Sequence, residues 1–123
     1  MNKKLKEFRR IRALQSIPRS EKFGNKRNCV KFWKGTSYEH FRVMSDIVWK
    51  LANQGYECFT EVTMRNGKRA DIIAISLNGE VYAIEVLKSE PEARYEAKLD
   101  SYPIEYTLVR VECKDFNINK WEL

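Results

Sequence analysis

The stretch Tyr56–Lys88, YECFTEVTMRNGKRADIIAISLNGEVYAIEVLK, decides the fold. Three runs within it, Tyr56 to Arg65, Arg69 to Leu77 and Glu80 to Lys88, are rich in the β-branched and aromatic residues that suit a pleated, half-buried surface. Asn66-Gly67 and Asn78-Gly79 separate the runs. Asn-Gly between apolar runs is a strong short-range hairpin signal, because both residues tolerate positive φ. The stretch therefore predicts an antiparallel meander of three strands.

The flanks extend this to a complete order of elements. Upstream, Thr36 or Ser37 can cap a helix, Thr36-x-x-Glu39 fits a capping box, and Phe41, Met44, Val48 and Leu51 recur at helical spacing until Asn53 and Gly55 stop it. Downstream, Ser89 opens a further helix with Pro91 in its first turn and Glu92 placed for a capping box. Its inward positions are Ala93, Ala97 and Leu99, and Pro103 closes it. Ile104 to Val111 then reads as a fourth strand, and a helical crossover makes it parallel to the third. The expected class is α/β (α+β), a mixed four-stranded sheet in the order α, βββ, α, β.

Before that core lies a basic arm. Residues 1–34 hold twelve Lys or Arg against two Glu, a net of +10, whereas the remainder carries a net of −4. A segment so charged expects a polyanionic partner. Leu5, Phe8, Ile11 or Arg12 and Leu14 share a helical face that Pro18 should end, so a basic helix of about three turns is expected. Residues 19–35 read as an irregular basic connector. The division is thus an arm over 1–35 and a core over 36–123.

With 123 residues, 43% hydrophobic and 33% charged, the chain is expected to form one globular domain. No apolar run approaches the roughly 20 residues of a membrane span, and MNKKLKEFRR lacks the apolar stretch of a secretory signal, so no membrane partner and a cytoplasmic location are expected. Cys29, Cys58 and Cys113 are odd in number and widely spaced, against both a disulfide framework and a zinc site. The single histidine, His40, reads as a helix-surface residue.

Three acids occupy telling positions: Glu39 in TSYEHF, Asp71 in KRADIIAI and Glu85 in YAIEVLKSE. Carboxylates flanked by Ala, Ile and Val on paired strands suggest a shared ligand, most simply a divalent metal ion. A shared ion requires that residues 71 and 85 turn into one pocket. In this order against the elements, the acids over residues 36–112 resemble the PD-(D/E)XK nuclease superfamily, which includes restriction-type endonucleases and archaeal Holliday-junction resolvases. The resemblance implies a restriction endonuclease-like core and Mg²⁺- or Mn²⁺-dependent hydrolysis of DNA, with branched or structured DNA among the substrates and a homodimer as the working unit. It also implies Asp71 and Glu85 as metal ligands with Glu39 assisting, while a catalytic lysine should follow two residues after Glu85. That position is Leu87; the nearest lysine is Lys88, which regular alternation turns away from Glu85. A bulge or the strand's end can return Lys88, or Lys98 on the following helix can substitute.

Nucleic-acid contacts are expected from Arg9, Arg10 and Arg12 of the arm and from Arg65, Lys68 and Arg69 in the turn before Asp71, where cations would hold a phosphate backbone close to the metal. Competing readings are a catalytically inactive nucleic-acid-binding module on the same fold, which Leu87 favours, and an interaction protein whose arm docks on an acidic partner. For single residues the competitors are a capping role for Glu39, a surface ion pair for Asp71, and pairing of Glu85 with Lys88 or Lys98.

Overall fold

A computed structural model describes residues 2–17, 27–64, 67–88, 95–96, 99 and 102–123. Helix α1 (Lys3–Gln15) precedes helix α2 (Tyr38–Asn53), and then come β1 (Glu57–Thr63), β2 (Arg69–Ile75), β3 (Val81–Leu87), β4 (Thr107–Glu112) and a short 3-10 helix (Cys113–Asp115). The strands form one sheet in the order β1-β2-β3-β4. The first two pairings are antiparallel, and β3 pairs with β4 in parallel. The mixed four-stranded sheet expected from the sequence is therefore present. The helix expected from Ser89, with Ala93, Ala97 and Lys98, lies mostly outside the described residues; Tyr95, Glu96 and Leu99 are helical.

Both meander turns are three-residue loops closed by glycine. Met64 N–H donates to Lys68 O (2.8 Å) and Ser76 N–H to Glu80 O (2.9 Å), with Gly67 and Gly79 each at φ +83°. A glycine in the left-handed region at the end of such a loop is what a three-residue hairpin needs.

Central strand β2 is covered on both faces, and Ile72 to Ile75 have no exposed surface. On one face Val43, Met44, Ile47, Val48 and Leu51 of α2 pack on Ile72, Ala74, Ile84 and Val86. On the other, Ala13 and Ile17 pack on Phe59, Ile73, Ile75, Val81 and Ala83. Each buried aliphatic side chain contributes about 1.5–3 kcal/mol, so α2, with five, is held by the sheet rather than by its own propensity.

Helix α1 is capped by Asn2, which accepts from Leu5 N–H at 2.8 Å. It does not dock by the face anticipated for it: Leu5, Phe8 and Ile11 are 46%, 61% and 45% exposed. Instead Ala13, Ile17 and part of Leu14 meet the sheet. Two anchors turn the helix this way. Arg10 pairs with the buried Glu57 at 3.7 Å, and the backbone of Arg9 lies against Gly79, where an added Cβ would stand 2.6 Å from the Arg9 carbonyl carbon.

Candidate functional site

Pairing between β2 and β3 runs from Ile75↔Val81 to Ile72↔Ile84 and stops. The next pair in register would be Asp71 opposite Glu85. There the strands part, and Val86 N–H, freed from the ladder, donates to Asp71 Oδ2 at 2.8 Å. Asp71 and Glu85 thus stand at adjoining positions of β2 and β3 on either side of this fork. Glu85 is only 2% exposed, and Tyr102 donates its hydroxyl to Glu85 Oε1.

The same level of the sheet is disturbed on the other side of Asp71. β1 pairs with β2 at Thr60↔Ile72 and at Val62↔Ala70, leaving Glu61 opposite Asp71 without a ladder pair. Glu61 adopts φ +53°, a left-handed conformation that is uncommon for a residue with a Cβ and marks local strain. It resets the strand's alternation, so Phe59 and Val62, three residues apart, enter the same core. Since β3 pairs Glu85 with Arg110 of β4, the register sets Glu61, Asp71, Glu85 and Arg110 in one row across all four strands.

Helix α2 adds to this row from its first turn. Ser37 is the cap, accepting from His40 N–H at 3.0 Å, so Glu39 is free of the capping role; Thr36 serves a different turn, accepting from Trp33 N–H at 2.9 Å. His40 is not a surface residue. Its Nε2 lies 3.7 Å from Asp71 Oδ2, with both side chains largely covered. Asp71 raises the pKa of His40 against the opposing effect of burial. Burial pushes the Asp71 carboxyl up, but His40 and the Val86 N–H overcome it, and Asp71 ends below the usual carboxylate range. Burial, and then the neighbouring Asp71 charge, hold Glu61 above that range, although Arg69, 3.9 Å away, pulls the other way. Burial and Glu85 likewise raise Tyr102.

Glu39 is half-buried in the first turn of α2, and burial raises the Cys113 thiol, with the Glu39 charge adding to the effect. Strand β3 ends at Leu87, and Lys88 follows it in an exposed bend. Leu87, at the position the resemblance reserves for lysine, is buried. Lys98 and Arg65 lie outside the described residues. Lys68 and Arg69 are exposed at the start of β2, on the acid side of the sheet's length. Arg9, Arg10 and Arg12 are elsewhere. Arg9 and Arg12 line a groove of about 770 Å³ with Gly79, Glu80 and Glu105, and Arg10 pairs with Glu57. The Ile75↔Val81 pair beside that groove is four rungs from the Asp71–Glu85 level, on the order of 13 Å.

Sequence reasoning thus missed Glu61 and Tyr102, and it set His40 on the helix surface when it faces Asp71. The signal for Glu61 was present in Phe59-Thr60-Glu61-Val62: strict alternation from Phe59 would point an acid into the core. His40 offered only its place beside Glu39.

Among the described residues, no group of three or more His, Cys, Asp or Glu side chains is gathered into a ready-made metal cage. Among them, too, no helix is long and apolar enough to cross a membrane. No family model matches the chain, and neither the curated proteins nor the solved structures contain a significant match to it.

Proposed function

We propose that the chain is a divalent-metal-dependent nuclease acting on DNA phosphodiester bonds, with its centre at the fork between β2 and β3. The observation that carries it is the placement of Asp71 and Glu85 at adjoining positions of β2 and β3 where their ladder stops, with Val86 N–H bound to Asp71 and the Tyr102 hydroxyl to Glu85. Carboxylates on adjoining strand positions suit Mg²⁺ or Mn²⁺, which prefer hard oxygen ligands and are commonly held by one or two carboxylates, several waters and substrate phosphate rather than by an all-protein cage. When bound, such an ion would shield phosphate charge and lower the pKa of a water. Around it this chain's residues have separate tasks. Asp71 and Glu85 hold the ion, Tyr102 and the Val86 N–H fix the orientation of those carboxylates, and His40 offsets the charge of Asp71 while no ion is bound. Glu39, from the first turn of α2, would assist, Lys68 and Arg69 would engage phosphates, and Lys88 or Lys98 would supply a cation for the attacked phosphate. Two copies of the chain would cut two strands.

Cleavage of supercoiled, single-stranded and branched DNA with Mg²⁺ or Mn²⁺ tests this. Asp71→Ala and Glu85→Ala should each abolish it; activity surviving both removes the proposal. One observation favours a second reading, a nucleic-acid-binding module without catalysis: Leu87 is 4% exposed and occupies the expected lysine position. That reading expects steeply salt-dependent binding, unaffected by chelator, and no cleavage.

A further inference from the structure

The connector between α1 and α2 is not a featureless basic loop. Residues 27–31 run along the free edge of β1: Asn28 N–H donates to Cys58 O (2.7 Å), Cys58 N–H to Asn28 Oδ1 (2.9 Å), and Thr60 Oγ1 to Cys29 O (2.6 Å). The segment is thereby carried from Glu57 toward Glu61, and at its end stand Phe32, 66% exposed, and Trp33, 50% exposed. From Arg27 to Tyr38 there are three cations, Arg27, Lys31 and Lys34, and no acid.

These aromatics are held in place. Trp33 and Thr36 close a tight turn with two bonds, Trp33 N–H to Thr36 Oγ1 and Thr36 N–H to Trp33 O, both 2.9 Å. Phe32 sets its ring against Phe41 of α2 with centroids 5.2 Å apart. The Arg69 guanidinium lies 5.3 Å from the Trp33 ring and 3.9 Å from Glu61 Oε2, linking the turn to the acid row through one side chain. Large aromatics that stay exposed on a fixed, cationic turn are surfaces for a flat partner carrying negative charge.

We propose that Phe32 and Trp33, flanked by Lys31, Lys34 and Arg69, form a stacking platform for the unpaired bases of single-stranded nucleic acid and hold that strand beside the acid row. An unpaired base presents a π-face to an aromatic ring, while its phosphates pair with neighbouring cations; bases inside a duplex are stacked on each other and offer no such face to a loop tip. Because the turn is already ordered, little freedom is lost on binding. The platform names the substrate class of the proposed nuclease, and it rests on that reading only for the cleavage step, not for binding.

The test uses the full chain in EDTA, with fluorescent oligo-dT and oligo-U of about twelve nucleotides, within the range of common single-strand site sizes, and a duplex of equal length. Fluorescence anisotropy should show tighter binding of a single strand than of the duplex. Trp33→Ala should weaken single-strand binding about five-fold or more, the effect of losing one stacked base, while duplex binding changes less than about two-fold, and Trp33→Phe should restore most of the loss. Equal loss on both substrates, no loss, or tighter duplex binding overturns the proposal. Replacing oligo-dT by oligo-dU leaves the 2′-hydroxyl as the one difference from oligo-U, and that contrast identifies the sugar. Cleavage is scored separately with Mg²⁺ in place of EDTA: Trp33-dependent single-strand preference without cleavage sustains the platform and removes the nuclease reading, whereas cleavage without that preference removes the platform alone.

Discussion

Glu61 offers the sharpest perturbation, because its backbone and its charge can be altered separately. At φ +53° its Cβ is crowded against the backbone, and residues so held store on the order of 1–3 kcal/mol. Glu61→Gly removes that strain together with a carboxylate facing Asp71. Two terms oppose the gain: Arg69 loses an ion pair 3.9 Å long whose guanidinium is half exposed, worth under about 1 kcal/mol, and glycine's freedom in the unfolded chain takes back about 0.5–1 kcal/mol. The net expectation is a stabilisation of roughly 1 kcal/mol, raising Tm by about 3–5 °C for a domain this size. Glu61→Gln keeps the strain and removes only the charge. Since burial and Asp71 raise the Glu61 carboxyl, the folded state holds its proton to higher pH than the unfolded chain does. The group therefore leaves stability unchanged below the ordinary carboxylate value and lowers it as pH rises through the raised one. Thermal melts should accordingly show Glu61→Gln more stable than wild type near pH 8 and equal to it near pH 4, with Glu61→Gly the more stable variant at both. A Glu61→Gly protein melting at or below Glu61→Gln at both pH values would show that the left-handed backbone is not strained.

Further outcomes rest on His40 and on the two hairpin glycines. The chain has one histidine, so NMR titration reports the site without ambiguity: His40 should titrate above its ordinary 6.5 and fall toward it in Asp71→Asn. Stability gained through the raised histidine is fully present below the ordinary imidazole pKa and declines as pH rises through the raised value. At the acid end, Asp71, lowered on folding, withdraws its own contribution as it protonates. Gly79→Ala should destabilise by about 2 kcal/mol or more and free α1 to exchange its amides, because the new Cβ meets Arg9 backbone at 2.6 Å and the residue keeps φ +83°. Gly67→Ala shares the φ but has nothing within 4 Å of its Cβ; it should cost only the conformational part, about 1 kcal/mol.

Local chemistry wrote most of the architecture into the chain. Asn66-Gly67 and Asn78-Gly79 mark hairpins because a loop of that length needs a left-handed residue. Phe41, Met44, Val48 and Leu51 mark α2 by their period, and the run after Pro103 marks a strand reached by crossover. These signals act over a few residues, so they survive in a linear reading. The placement of Asp71 beside Glu85 is of another kind. It depends on the ladder opening after Ile72↔Ile84, which register and strand divergence decide and no single segment encodes. His40, Glu61 and Tyr102 join the site from α2, β1 and the approach to β4, separated in sequence and adjacent only once the sheet is assembled. The same holds for the arm: its charge was plain, but Gly79 and Glu57 decided that Arg9 and Arg10 dock at the far end of the strands from the acids. Helix and turn preferences are short-range energies of the chain itself. Which charges face one another is set by packing between distant elements, and only the folded sheet brings those elements within reach.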